Sequence, residues 1–248
     1  MDSSQYKVLL DKIINNKKEE IKNLSLDVAA YIKDDVFNAL TANKVSTGEP
    51  VIMFTAGAPA CGKSETVKVI LEEFPNAVHI DPDQFRVLFP YYNGENAHDY
   101  QKACTGILSH CFDKAIKGKF DIIHDTNFAH EETAIRNVSR ALKKGYAVQI
   151  NYVYLDPVSA WKHAQNRDRK ILPHVFCTNF FSVRQTIKAV LSHPEFQGKA
   201  LRCRAFIYSE IHGQDRFSKE IIENIAASTL DTLVPFQYSA SDLARIAV

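Results

Sequence analysis

The stretch from Val51 to Ser64 constrains the fold of this chain more than any other. An apolar run from Val51 to Phe54 leads into Gly57-Ala58-Pro59-Ala60-Cys61-Gly62-Lys63-Ser64, which is G-x-x-x-x-G-K-S without substitution. The residues that follow, Glu65 to Glu73, keep apolar side chains at helical spacing. A strand, a glycine loop and a helix in this order predict a phosphate-binding loop in an α/β fold.

The loop predicts a bound nucleotide triphosphate, ATP or GTP. Glycines at its tight positions let several backbone N–H groups meet at one point, and the following helix directs its positive N-terminus there. Lys63 is expected to reach the β- and γ-phosphates, and the Ser64 hydroxyl to bind Mg²⁺. The predicted nucleotide-binding residues are Gly57, Ala58, Pro59, Ala60, Cys61, Gly62, Lys63, Ser64 and Glu65. The alternative, a glycine turn that fits by chance, does not explain the flanking strand and helix.

Composition bounds the class of protein. With 248 residues and 46% apolar content, the chain can bury a full core as one α/β domain with elaborations at its ends. Its five cysteines form no CxxC pair, which indicates reduced intracellular thiols rather than a disulfide or zinc framework. No signal peptide or membrane span is predicted, so we expect a cytoplasmic protein; secretion without a cleaved signal leaves no trace in a sequence. A net charge of +1 makes nucleic acid a less expected partner.

Residues 1–48 form a separate segment ahead of the phosphate-loop domain, residues 49–248. Apolar spacing in this segment predicts two amphipathic helices separated near Asn23-Leu24-Ser25, and Ser46 to Pro50 has the composition of a loop. Two interpretations stay open: the segment packs on the domain, or it regulates access to the site.

A second group of candidate residues follows the strand predicted over Asn76 to Ile80. Pro82 ends that strand, so Asp81 and Asp83 lie at a strand's carboxyl end, where open α/β sheets bind ligands. Asp83 is a candidate general base for an acceptor hydroxyl, although capping of the next helix is an equally good interpretation. Arg86, one turn later, could hold a substrate phosphate.

The next predicted strand, Phe120 to His124, ends in another acidic residue. Asp125 at this position would fix Mg²⁺ in the Walker-B role. His124 is expected to pack or hydrogen-bond near the site rather than bind metal, because no second ligand stands at metal spacing. Tyr91 and its neighbour Tyr92 either line a substrate pocket or cover the edge of the core.

The remaining periodicity predicts a doubly wound, mainly parallel sheet flanked by helices. Helices are predicted over about 98–117, 131–144, 156–170, 181–192 and 219–233, with strands over 146–155 and 205–208. Arg167 and Arg169 precede a proline-bearing loop, a composition typical of a phosphoryl-transfer lid, here 165–178. The alternative for these arginines is a basic helix end that favours the macrodipole.

Taken in order, these motifs resemble the zeta-toxin family of P-loop kinases over Val51 to Pro173. The matching stretches are GAPACGKS, IDPDQFRVLFPYY, DTN, GYAVQINYVYLDPVSAW and NRDRKILP. The related polynucleotide-kinase clan shares the phosphate loop, D-x-x-R and the D-x-T-N type of turn.

The resemblance implies roles for individual residues. Lys63 and Ser64 match the nucleotide and magnesium residues, Asp83 matches the catalytic base, and Arg167 and Arg169 match the lid arginines. The substrate-binding candidates are Arg86, Tyr91, His124, Thr126 and Asn127. The chain departs from the family at three positions, which carry Ala60 instead of glycine, Phe89 instead of histidine and His124 instead of the acidic residue that helps to hold the sugar.

The resemblance implies a kinase that uses ATP or GTP and Mg²⁺ to phosphorylate a hydroxyl of a nucleotide-linked small molecule. The family's typical substrate is a UDP-activated amino sugar, so UDP-N-acetylglucosamine is the candidate acceptor. The alternatives are a polynucleotide 5′-kinase or another nucleotide or dinucleotide kinase, and an ATP-binding interaction module without transfer activity. The partners implied are an antitoxin protein or self-inhibition by residues 1–48.

Overall fold

A six-stranded sheet in the order β2-β3-β1-β4-β5-β6 organises the computed structural model, which describes residues 3–166, 171–211 and 217–247. The strands are β1 (Val51–Ala56), β2 (Val78–Ile80), β3 (Ile122–His124), β4 (Ala147–Leu155), β5 (Leu201–Glu210) and β6 (Phe217–Ile222). All neighbouring pairs are parallel except β5 and β6, which run antiparallel. The fold class predicted from the sequence is therefore confirmed.

Helices connect and cover these strands. They are α1 (Ser3–Thr41), α2 (Lys63–Glu73), α3 (Pro82–Phe85), α4 (Gln101–Lys117), α5 (Glu131–Lys143), α6 (Pro157–Gln165), α7 (Pro173–Ser192), α8 (Leu230–Leu233) and α9 (Ala240–Ile246). None of the described helices is long and apolar enough to cross a bilayer.

Buried side chains alternate along β1 and show that both faces of the sheet are covered. Met53 packs with Val67 and Ile70 of α2 on one face. Ile52 and Phe54 point to the other face and join the larger cluster formed with α4, α5 and α7. A strand that is buried on both sides has the continuous apolar character that β1 and β4 show in the sequence.

The N-terminal segment folds as one continuous helix, not two. The predicted break at Asn23-Leu24-Ser25 contains no glycine or proline, and Ser25 is buried with its hydroxyl donating to the Lys22 carbonyl oxygen at 2.7 Å. Back-bonding of this kind is compatible with a helix interior. Packing on α4 therefore overrides the weak local propensity for a break.

Contacts near its C-terminal end dock α1 on α4. Asp34 accepts hydrogen bonds from His110 Nε2, at 3.0 Å, and from Lys114 Nζ. Phe37 meets Phe120 edge to face, with the ring centroids 6.3 Å apart. These contacts support the interpretation that residues 1–48 pack on the phosphate-loop domain.

The helix predicted over Lys219 to Leu233 is wrong in its first half. Lys219 to Ile222 belong to β6 and pair with β5 in the register Tyr208↔Lys219 and Ala205↔Ile222. Lysine and glutamate favour helices locally, but the unpaired edge of β5 offers backbone hydrogen bonds that the isolated segment lacks. Only α8, over Leu230–Leu233, is helical as predicted.

Candidate active site

The ends of three neighbouring strands bring the predicted site residues to one edge of the sheet. The register aligns Ile80 with His124 and Phe54 with His124, so Asp81 and Asp125 begin their loops at the same level as the phosphate loop. Neighbouring strands lie about 4.8 Å apart, which puts the ends of β2 and β1 about 10 Å apart. The acidic residues therefore face the phosphate loop across a short gap.

Backbone geometry in the phosphate loop explains its glycines. A Cβ atom on Gly57 would lie 2.6 Å from the Val153 carbonyl oxygen, and the Gly57 N–H donates to the Asn127 carbonyl oxygen at 3.1 Å. Gly62 has φ +92°, and Ala60, where the family usually has glycine, has φ +63°. Both values lie in the left-handed region, so the loop keeps its shape although alanine replaces one glycine.

Lys63 folds back over the loop that it follows. Its ammonium donates to the carbonyl oxygens of Gly57 and Ala58, each at 3.0 Å. Ser64 and Glu65 are exposed in the first turn of α2, where the N–H groups of the helix start open toward solvent. This arrangement leaves the helix N-terminus ready to receive an anion.

The remaining loop residues turn inward. Cys61 is buried, and its sulfur lies 3.9 Å from the Leu155 carbonyl oxygen, so its thiol is directed into the protein. Pro59 is half-buried. Tyr208 of β5, a residue that the sequence did not single out, accepts or donates a hydrogen bond with Thr66 at 3.0 Å and lies behind Gly62.

Asp125 sits at the centre of a polar cluster. Thr55 Oγ1 donates to Asp125 Oδ1 at 2.7 Å and accepts from the Thr126 N–H at 3.0 Å, and His79 Nε2 lies 3.4 Å from Asp125 Oδ2. Burial alone would raise the pKa of Asp125, but the hydrogen bonds with His79 and Thr55 and the charge of Lys63 outweigh it and lower the pKa. Asp125 is therefore an anion within the electrostatic reach of Lys63.

Asp81, not Asp83, caps the short helix that follows β2. Its side chain accepts from the Asp83 N–H at 2.8 Å, and Pro82 occupies the first helical position. The alternative interpretation of Asp83 as the cap is therefore wrong. Burial, and then the negative charge of Asp125, raise the pKa of Asp81 to about 6.

Asp83 and Arg86 pair with each other. Arg86 Nη1 donates to Asp83 Oδ1, and Arg86 Nη2 donates to Gln101 Oε1 at 2.7 Å. The Arg86 side chain is 2% exposed, whereas that of Asp83 is 55% exposed. The guanidinium is thus engaged by Asp83 and Gln101, and the role of Arg86 in holding a substrate phosphate stays a prediction.

His124 lies in the core below the strand ends. Its ring is 5.3 Å from that of Phe54 and 4.9 Å from that of Phe112, both in edge-to-face contact, and the residue is 3% exposed. Burial lowers the pKa of His124 to about 4, so the imidazole is neutral. His124 therefore packs near the site, as one of its two predictions has it, and its role as a substrate-binding residue stays a prediction.

The two tyrosines after β2 have different environments. Tyr91 is 72% exposed with φ +65°, whereas Tyr92 packs edge to face on Tyr100, with the centroids 5.8 Å apart. Tyr92 thus covers the core, whereas Tyr91 is free of the core and its role in lining a substrate pocket stays a prediction. Thr126 is half-buried and Asn127 exposed.

The predicted lid is only partly described. Arg167 and Arg169 lie outside the described residues. Pro173 begins α7, so the end of the proposed lid is helical and Phe176 packs on Trp161, with the ring centroids 4.9 Å apart.

Three side chains could hold a divalent cation. Ligand atoms of His79, Asp81 and Asp125 all lie within 4.8 Å of one another. Carboxylates suit Mg²⁺, and an imidazole also suits transition metals. Of these three residues, His79 is not predicted as a metal ligand from the sequence, although His79 and Asp81 stand two residues apart and therefore leave β2 on the same side.

A phosphate loop between β1 and α2 faces carboxylates at the ends of β2 and β3. This fold and this site define a P-loop kinase. The family model described as Zeta toxin matches residues 34–198, which is more than half of the chain, so this protein belongs to the zeta-toxin family.

Solved structures share the fold at low sequence identity. A chain from the PezAT chromosomal toxin-antitoxin system of Streptococcus pneumoniae has a TM-score of 0.65 at 16% identity, over 92% of this chain and 95% of that one. The AvrRxo1-ORF1:-ORF2 complex with ATP gives a TM-score of 0.56 at 12% identity, over 89% and 74%. A search of curated protein sequences found no match.

Proposed function

We propose that this protein is a zeta-toxin-like kinase that transfers the γ-phosphoryl group of ATP to a hydroxyl of a nucleotide-linked small molecule. The observation that carries the proposal is the exposed carboxylate of Asp83 beside Asp81, at the sheet edge that also bears the loop of Lys63. A kinase needs this combination of a phosphate cradle and a base for the acceptor. The ATP complex of a structural neighbour favours ATP over GTP.

Each residue has a distinct task in this reaction. The backbone of the loop and Lys63 hold the β- and γ-phosphates, and Lys63 leaves the carbonyl oxygens of Gly57 and Ala58 to do so. Asp83 accepts the proton of the acceptor hydroxyl while the hydroxyl oxygen bonds to the γ-phosphorus. The bond between the γ-phosphorus and the oxygen that bridges it to the β-phosphate breaks, which releases ADP.

Ser64 and Asp125 are the proposed ligands of Mg²⁺, with Asp81 and His79 close to Asp125. The ion would neutralise charge that develops on the phosphate oxygens. The ionised state of Asp125 suits this role, because a cation binds the carboxylate form. Arg167 and Arg169 are proposed to cover the γ-phosphate as lid residues.

The acceptor proposed is a nucleotide sugar, with UDP-N-acetylglucosamine as the first candidate, because that is the substrate type of the family. The test is transfer from γ-labelled ATP to a panel of nucleotide sugars, dinucleotides and 5′-hydroxyl oligonucleotides. We expect label on a nucleotide sugar. Label only on oligonucleotides would assign a polynucleotide kinase instead, and no label on any acceptor from folded protein would overturn the kinase proposal.

Two aspartate variants give a matched control. Asp83→Asn should keep ATP affinity and abolish transfer, because the amide cannot accept the proton. Asp113 is equally exposed, at 57%, and also pairs with an arginine, Arg140, far from the site. Asp113→Asn should therefore transfer phosphate at the wild-type rate. Equal transfer by wild type and Asp83→Asn would show that Asp83 is not the base.

We further propose that the activity is toxic and is controlled by an antitoxin protein. Support comes from the family and from the PezAT neighbour, whose description names a toxin-antitoxin system. Induced expression in a bacterial host should arrest growth, and Asp83→Asn should relieve the arrest at equal protein level. Growth arrest by both forms would separate toxicity from phosphoryl transfer.

Inhibition of the kinase by its own residues 1–48 is the alternative to an antitoxin protein. Asp34→Lys replaces the hydrogen bonds with His110 and Lys114 by charge repulsion with Lys114, so this variant should then have a higher kinase activity.

A further inference from the structure

Arg86 is a buried cation beside the proposed catalytic base. It lies on the 3-10 turn that follows α3 and is 2% exposed. One nitrogen of its guanidinium donates to the carboxylate of Asp83, three residues earlier, and another donates to Gln101 at 2.7 Å. The guanidinium thus connects the loop after β2 to the first residue of α4.

The ion pair of Asp83 and Arg86 does not by itself explain why the arginine is buried. Asp83 is 55% exposed, and an ion pair with one exposed partner contributes little to the free energy of folding. Burial of an arginine is costly unless its donors are satisfied, and the Nε of Arg86 is buried with no hydrogen-bond partner among the described residues. A buried guanidinium aimed at an exposed carboxylate is better explained by the orientation that it gives that carboxylate.

Gln101 sets the direction of the guanidinium. Its amide oxygen accepts from Arg86, while its amide nitrogen lies 3.4 Å from Thr105 Oγ1 on the next turn of α4. The planar fork of an arginine cannot rotate without breaking both of its hydrogen bonds. Gln101 therefore limits the positions that the Asp83 carboxylate can take.

We propose that Arg86, braced by Gln101, is a positioning residue that holds the Asp83 carboxylate toward the acceptor hydroxyl. The inference rests on the proposed kinase function of the same site. In this role Arg86 does not contact the substrate, so the acceptor does not need a phosphate group for Arg86 to bind. Proton transfer to Asp83 is unchanged in kind; the arginine only sets the geometry in which it occurs.

The kinetic split between kcat and KM separates this role from substrate binding. Arg86→Gln should lower kcat by about 100-fold, the scale for a misplaced catalytic group, and leave KM for ATP and for the acceptor nearly unchanged. If Arg86 instead binds a substrate phosphate, KM for the acceptor rises and kcat is largely kept. That result would overturn the proposal.

A second variant avoids the risk that a change at the buried arginine prevents folding. Gln101 is exposed, so Gln101→Leu should fold normally; it removes the acceptor for Arg86 and should lower kcat by about 10-fold. Gln101→Glu keeps an acceptor oxygen and should restore most of the rate. Gln185→Leu, at an exposed position on α7, is the matched control and should behave as wild type. Unchanged kcat in folded Gln101→Leu would contradict the brace.

Carboxyl ¹³C NMR of aspartate-labelled protein tests the geometry without any turnover. The Asp83 resonance, identified by its absence in Asp83→Asn, should shift in Gln101→Leu and stay in place in Gln185→Leu. If the wild type transfers no phosphate and the resonance still shifts, the kinase proposal fails while the contact stands. If the resonance does not move, the positioning role is wrong whatever the enzyme does.

Discussion

The ammonium of Lys63 donates to the carbonyl oxygen of Gly57 at 3.0 Å, so the last part of the phosphate loop is tied to its first residue. The same ammonium donates to Ala58. The lysine thus closes the loop on itself, and a bound triphosphate exchanges those neutral carbonyl partners for charged oxygens. Hydrogen bonds between charged groups are stronger than those with one neutral partner.

Removal of the Lys63 charge should weaken ATP binding by about 10- to 100-fold, the scale of one lost charged hydrogen bond. The variant is Lys63→Met, and the measurement is isothermal titration calorimetry with ATP. Lys68→Met, on the exposed side of α2, is the control and should bind ATP as wild type does. Equal affinity in all three proteins would remove Lys63 from the nucleotide site.

Gly57→Ala should destabilise the protein by about 1–3 kcal/mol, the range for a forced steric clash in a packed interior. The new Cβ would lie 2.6 Å from the Val153 carbonyl oxygen, on a strand that cannot shift alone. Gly106→Ala on α4 is the matched control, because nothing lies within 4 Å of its Cβ position. The control should gain up to about 1 kcal/mol. Urea denaturation compares the two, and equal midpoints would contradict the clash.

Ala60→Gly should stabilise the folded state by up to about 1 kcal/mol. Ala60 has φ +63°, and the left-handed conformation costs a residue with a Cβ atom about 1–2 kcal/mol, which exceeds the entropy that glycine loses on folding. Ala30→Gly, at an exposed position within α1, should instead lose about 1 kcal/mol. Thermal unfolding of both variants checks the opposite signs. A loss of stability in both would show that strain at Ala60 is negligible.

The pKa of Asp81, raised to about 6 by burial and then by the charge of Asp125, makes the stability of the protein depend on pH. The folded state holds this proton more tightly than the unfolded state, so Asp81 favours folding below its unfolded pKa of about 4. This contribution is lost as the pH rises to about 6.

Asp81→Asn keeps a good helix cap and removes the titration. Relative to wild type, its free energy of unfolding should increase by about 1–3 kcal/mol between pH 4 and pH 7 in metal-free buffer. Chemical denaturation at both pH values measures the difference. Asp242→Asn, in the first turn of the distant α9, is the control. The Asp242 carboxylate accepts hydrogen bonds from the cap residue Ser239, which lower its pKa, so the free energy of unfolding of this variant should not increase relative to wild type over the same pH range. A difference that does not change with pH in Asp81→Asn would contradict the prediction.

Local sequence patterns were sufficient to predict those features of the site that depend on residues close together in the chain. The loop from Gly57 to Ser64 needs its own glycines and the helix that follows it. Asp125 could be predicted because it directly follows a buried apolar strand, and the carboxyl ends of parallel strands meet at the edge of the sheet where ligands bind. The family membership follows from the same local motifs, and it is confirmed over residues 34–198.

Local pattern failed where a distant partner decides the outcome. Lys219 to Ile222 have helical propensity but pair with β5, and Asn23 to Ser25 have a break-like composition but continue α1. The contacts of Gln101 with Arg86 and of Tyr208 with Thr66 could not be predicted, because no local sequence pattern indicates them.

The amino-acid order by itself determined a phosphate loop and the acidic strand ends, because each depends on residues within a few positions of one another, and the alternation of strands and helices along the chain was sufficient to predict a mainly parallel sheet. Only the tertiary structure decided that Asp81 is the cap, that Arg86 is buried against Asp83 and that His124 packs between two phenylalanines. Those outcomes depend on which side chains from other elements exclude water and supply hydrogen bonds, and such partners are set by packing rather than by spacing.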